Sequence, residues 1–112
     1  MILLIGFIYI VLLIVSIIYN IKPPKKINGI YGYRTPYSIK NEENWIYCNK
    51  LASKYMLINT HVILLLLLFI YALYYFEYLS LNTVINFIWI IPCLCLVFMV
   101  CIIEIKIRKR NE

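Results

Sequence analysis

The side chains with the most chemical capacity lie in one short run, Asn28-Gly-Ile-Tyr-Gly-Tyr-Arg-Thr-Pro-Tyr-Ser38. Arg34 presents a planar fork of donors that pairs with a carboxylate or phosphate in a way lysine cannot. Gly32 and Pro36 stand on either side of it, so the backbone aims the guanidinium. Asn28, Tyr33, Thr35 and Ser38 add amide and hydroxyl groups, and these five residues form a candidate partner- or anion-binding set. Within the chain, Glu42, Glu43 and Glu104 are the carboxylates that could meet Arg34. If none does, a lipid phosphate or an acidic group of a partner is the expected acceptor. The competing reading is a folded loop whose polar groups satisfy one another.

Other chemistry is poorly supplied. Ser16, Ser38, Ser53 and Ser80 have no His/Asp partners, and Glu42 and Glu43 are adjacent, so on a helix they point about 100° apart and form no dyad. No catalytic residue and no enzyme activity are expected. Gly29 and Gly32 lack the Lys-Ser/Thr that would make a phosphate loop. His61 is the only histidine. With cysteines so remote it builds no metal site, and it reads as an interfacial residue, with a proton-linked contact inside the bundle as the alternative. Cys48, Cys93, Cys95 and Cys101 read as small apolar packers rather than a disulfide framework. No cofactor and no metal are expected.

The elements that must position the loop are membrane spans. The chain is 64% hydrophobic over 112 residues, with a mean hydropathy of +0.87. A soluble fold this small could not bury so much apolar surface. Residues 1–21 carry no charged side chain, which is enough to cross a bilayer. Residues 57–76 and 81–103 give two further spans, so the fold class is an all-α integral membrane protein with three transmembrane helices. Backbone groups in lipid need internal partners, and the alternation of barrel strands is missing. Pro92 is expected to bend the third span.

The net charge of +6 comes from 11 basic and 5 acidic residues. A basic balance can signal nucleic acid, but its distribution here gives another cause. Seven basic residues lie between spans one and two, four follow span three, and Glu77–Ser80 has none. All 11 fall on one side, which the positive-inside rule makes cytoplasmic. The N-terminus is then external, the C-terminus cytoplasmic, and the localisation a cell membrane. No direct nucleic-acid binding is expected. The lipid bilayer is the first partner, and Lys106–Arg110 reads as a stop-transfer cluster in the basic tail 104–112, touching anionic lipid.

The segment 22–56 is too patterned for a connector. Pro23 and Pro24 stop the first helix, and Gly29 and Gly32 permit tight turns. Asn41 reads as an N-cap with Glu42 and Glu43 in the first turn. From there an amphipathic helix runs to Met56, placing Trp45, Cys48, Asn49 and Ala52 on one face. Lys50, Ser53 and Lys54 are expected to point elsewhere. The helix either lies on the membrane surface or continues into span two. Gly29, Gly32, Pro36, Trp45, Asn49 and Ala52 are read as the packing residues of the motif.

The pattern Asn28-Gly29, Gly32-Tyr-Arg-Thr-Pro36 and Ser38, followed by Trp45, Asn49 and Ala52 on a helix, resembles the SdpI family of bacterial immunity proteins. The resemblance covers roughly Pro23 to Tyr75, with weaker support from the flanking spans, and corresponds to the C-terminal half of a longer family member. It implies a cytoplasmic loop and a helix leading into a membrane span. It also implies immunity to a secreted, membrane-active killing peptide, and a role in holding a transcriptional regulator at the membrane. Three functions therefore compete: protection against a peptide toxin, a signalling anchor for a cytoplasmic regulatory protein, and a small transporter. The last would need charge at mid-membrane, which the spans lack. An oligomer is compatible with all three.

Overall fold

The computed structural model describes residues 1–112 and contains three helices and no strand. They are α1 (Ile2–Ile21), α2 (Glu42–Tyr75) and α3 (Leu81–Asn111). All three are long and apolar enough to cross a membrane, and the chain is a multi-pass membrane protein.

Helix lengths explain where the loop sits. At about 1.5 Å per residue, the 20 residues of α1 span about 30 Å, the thickness of a hydrocarbon core. The 34 residues of α2 span about 51 Å and the 31 of α3 about 46 Å. Both longer helices therefore run beyond the end of α1. The space above that end is filled by residues 22–41, which fold against the projecting part of α2.

The amphipathic segment from Glu42 and the second span form one uninterrupted helix, the second of the two expected arrangements. Its start is fixed by Asn41, whose side-chain oxygen accepts from the Asn44 amide at 2.7 Å, satisfying a donor that the first turn leaves free. Helix α3 runs through Pro92 without interruption. It also continues through Ile103 to Asn111, so residues 104–111 of the basic tail are helical.

Helix α2 is the spine: it packs against both α1 and α3, which barely meet each other. Two cores result. At the end remote from the basic residues, Ile5 packs with Ile63, Leu67, Val84 and Ile88. At the basic end, Tyr33, Cys48 and Ala52 pack with Met99, Ile103 and Ile107. Between them Ser16 and Thr60 share a buried hydroxyl–hydroxyl bond of 2.8 Å, and Asn59 donates to the Cys95 carbonyl at 2.9 Å. The outward faces are apolar, with Leu3, Phe7, Leu65, Trp89 and Phe98 each more than half exposed. Lipid solvates such faces.

Candidate functional site

The motif residues converge on the amide of Asn49, a side chain with no exposed surface. Its oxygen accepts from the Tyr19 hydroxyl at 2.5 Å and from the Tyr33 amide at 2.7 Å. Its nitrogen donates to the Trp45 carbonyl one turn back at 2.9 Å. The Tyr33 amide is shared, since it also reaches the Tyr19 hydroxyl at 3.1 Å. One side chain thus ties α1, the loop and α2 together. A buried amide needs these partners, because an unmet polar group in such a site costs a few kcal/mol.

Gly32 makes this crossing possible. Its φ of +123° lies in a region that side chains rarely adopt. A Cβ there would stand 2.8 Å from the Asn49 side-chain oxygen, 2.9 Å from the Pro24 ring and 3.0 Å from the Trp45 ring. Trp45 is fully buried, and its indole nitrogen donates to the Pro24 carbonyl at 2.9 Å. The loop is therefore pinned at both strands of its approach, at Pro24 by Trp45 and at Tyr33 by Asn49. Ala52, 1% exposed, lies one turn further along α2 in the core beneath Tyr33.

The rest of the loop closes on itself. Ser38 is fully buried, and its hydroxyl accepts from the Thr35 amide at 2.8 Å and lies 3.0 Å from the Tyr33 carbonyl, to which it can donate. The Thr35 hydroxyl accepts from the Ser38 amide at 3.4 Å. Asn28 accepts from the amides of Ile30 and Tyr31 at 2.9 and 3.1 Å, a turn built by its own side chain. Pro36 is exposed at the rim. Of the five residues read as a binding set, Asn28, Tyr33, Thr35 and Ser38 thus have internal partners.

Arg34 does not. It is exposed and makes no ion pair and no side-chain hydrogen bond; a Cβ added at Gly29 would stand 3.9 Å from its guanidinium. The three carboxylates considered for it are not its partners. Glu43 is bound to Arg110, the only ion pair in the chain. Glu104 accepts from the Tyr33 hydroxyl at 2.9 Å. Glu42 is exposed and unpaired. The loop is tied to α3 through Tyr33 rather than Arg34. Burial and then the bond to Glu104 hold the Tyr33 hydroxyl protonated well above the ordinary tyrosine value.

The basic extension of α3 makes contacts within the bundle that the sequence did not show. Lys106 lies over the Tyr55 ring, Arg108 over Tyr37 and Arg110 over Tyr47, with cation-to-centroid distances of 5.0, 5.2 and 4.4 Å. Tyr47 and Tyr55 lie two turns apart on α2 and Lys106 and Arg110 one turn apart on α3, a difference that the long cationic side chains span. Lys106 also donates to the Tyr55 hydroxyl. Ser53 is a second departure: it is 4% exposed, its hydroxyl donating to the Lys50 carbonyl at 2.9 Å. A serine that returns its hydroxyl to its own helix can be buried at little cost.

Of the residues that complete the site, Tyr19 and Pro24 were not singled out as members by sequence reasoning, and Glu104 was considered for Arg34 but meets Tyr33. Tyr19 sits in an apolar span, where a tyrosine signals only an interface.

A model of the SdpI/YfhL protein family matches residues 25–104, which takes in the loop, all of α2 and most of α3. The chain belongs to this family. Over 52 residues it is 35% identical to a protein of Bacillus subtilis (strain 168) described as the uncharacterized protein YfhL. That alignment covers 46% of the chain and 47% of YfhL, so about half of the relative's length is spanned. No solved structure matches the chain. The family region contains Gly32, Tyr33, Arg34, Trp45, Asn49 and Glu104. Tyr19, Pro24 and the cation ladder of α3 lie outside it.

Proposed function

We propose that this protein protects the membrane that carries it against a membrane-active peptide, as a binding protein rather than an enzyme. Membership of the SdpI/YfhL family supports the class of role. The observation that carries the reading is Arg34, an arginine without an internal carboxylate on a loop anchored by Asn49 and Trp45. A connector has no need of such anchoring. A recognition loop does, because a donor fork already held in place loses less entropy on binding. Arg34 would take an acidic group, such as the C-terminal carboxylate of a peptide. The basic end, where all 11 cationic side chains lie, would face the cytoplasm.

The test is survival of sensitive cells that express the chain and are challenged with killing peptides. Arg34→Lys keeps the charge and loses the fork, so protection should fall while protein level and topology stay normal. If Arg34→Lys protects as well as the natural chain, and Arg34→Ala fails only through a lower protein level, Arg34 closes the loop and the reading is wrong. A second reading, an anchor for a cytoplasmic regulatory protein, draws on the same loop tip, where Ile30 is 93% exposed. That role predicts capture of a soluble protein that Arg34→Lys releases, with no change in survival.

A further inference from the structure

A second feature of the basic end lies outside the motif crossing. Between the end of α1 and the projecting part of α2 is a groove of about 450 Å³, within the size range of small-molecule sites. Asn20 closes α1's side of it, Lys25 stands on the loop, and Lys50 and Lys54 stand one turn apart on α2. No acidic residue lines it. None of the three ammonium groups has a hydrogen-bond or ion-pair partner, since the chain's single ion pair is Arg110 with Glu43. Lysines that serve topology alone need only lie on one side of the membrane. These three come from two elements and face one concavity. Its proline wall is fixed by the bond from the Trp45 indole to the Pro24 carbonyl.

The groove also sits where the membrane boundary falls. The charge-free run ends at Ile21, 70% exposed, directly after Asn20. Ile17 is one turn before Asn20 and Leu13 two turns before, so an apolar strip of α1 leads from the groove toward mid-membrane. Leu57, one turn past Lys54, continues α2 in the same direction. We infer that this groove binds the phosphodiester head group of an anionic lipid, with Lys25, Lys50 and Lys54 around the phosphate and the acyl chains along Leu13, Ile17 and Leu57. A cationic patch serving free phosphate would have no use for the apolar strip. A lipid needs both.

The test uses the full chain in detergent micelles, titrated with phosphatidylglycerol or phosphatidylcholine and read by native mass spectrometry. The natural chain should retain phosphatidylglycerol preferentially. Each lysine near an anionic group contributes enough for about a fivefold change, so Lys50→Gln with Lys54→Gln should weaken retention roughly 30-fold. Both side chains are exposed, so folding should be unaffected, as checked by the buried Trp45 fluorescence in a Trp89→Phe background. Lys109→Gln removes one charge from α3, which contributes no residue to the groove, and should leave retention unchanged. Equal retention of the two lipids overturns the proposal. So does an equal loss for Lys109→Gln, which would mean net charge alone. Displacement of the lipid by millimolar inorganic phosphate overturns the lipid as occupant.

Discussion

Gly32→Ala tests the crossing most directly. The added methyl would meet the Asn49 oxygen at 2.8 Å, closer than real side chains come, and the backbone there has a φ of +123°. Strain of that kind costs on the order of 1–3 kcal/mol. Moving Asn49 away from the methyl also weakens its bonds from Tyr19 and the Tyr33 amide, each worth about 1 kcal/mol net. The sum is roughly 3–5 kcal/mol, a large part of the ~5–15 kcal/mol that holds most folds together. Gly29→Ala is the matched control, because its nearest neighbour is the Arg34 guanidinium at 3.9 Å, an ordinary contact. It should change stability by less than about 1 kcal/mol. Unfolding of the detergent-solubilised chain by sodium dodecyl sulfate, followed through Trp45 with Trp89→Phe as background, measures both. If the two alanine variants unfold within about 1 kcal/mol of each other, Gly32 is not the wedge described here.

Trp45→Ala should cost about 3 kcal/mol or more, since the ring is fully buried in protein; the same unfolding assay decides, and a loss under about 1 kcal/mol would place the ring in solvent. Tyr33→Phe removes the bond to Glu104 and should destabilise by about 1 kcal/mol near neutral pH. The folded value of the Tyr33 hydroxyl is raised above its ordinary 10.0, so its contribution is complete below pH 10 and is lost as pH rises through the raised value. The gap between natural chain and Tyr33→Phe should therefore close above pH 10 and stay constant from pH 6 to 9; a gap that changes over that lower window contradicts the assignment. Reporters fused after Glu112 and within residues 22–40 should give one sidedness and a reporter at Leu79 the other. Opposite readings at Glu112 and Lys40 would refute the three-span arrangement.

The three helices were legible because each contains a charge-free apolar run long enough to cross a bilayer, and the buried face of Trp45, Cys48, Asn49 and Ala52 because it follows a helical period. The Asn41 cap was legible because its chemistry is local. What joins the pieces was not. Tyr19 meets Asn49 across 30 residues, and Tyr33 meets Glu104 across 71. No spacing rule links such pairs, and the tyrosines of the spans carry the same signal whether they bind a neighbour or sit at an interface. The contacts of the basic run 106–110 were hidden for a related reason. Composition marks it as a membrane boundary, and the stacking of Lys106, Arg108 and Arg110 on Tyr55, Tyr37 and Tyr47 follows only from the way α3 lies on α2. Arg34 was legible as a special residue, but its freedom from Glu42, Glu43 and Glu104 required knowing where each carboxylate goes.

The uneven fastening of the two cores has a mechanical consequence. At the basic end the helices are riveted by directional bonds through Asn49, Trp45, Tyr33 and the α3 ladder. At the far end Ile5 holds α1 to Ile63, Leu67, Val84 and Ile88 by contact alone, and only the short turn 76–80 adds a fastening, between α2 and α3. Lipid tails are as apolar as those side chains, so parting them there forfeits packing and little else. The molecule is therefore built like a pair of tweezers with a stiff handle and soft tips. Because α1 barely meets α3 and is joined to α2 only at the basic end, it can part from α2 at the far tip without α3 following, while the turn 76–80 keeps α2 and α3 together. An amphipathic guest arriving through the lipid would be admitted from the tips, where no hydrogen bond has to break, and stopped at the handle.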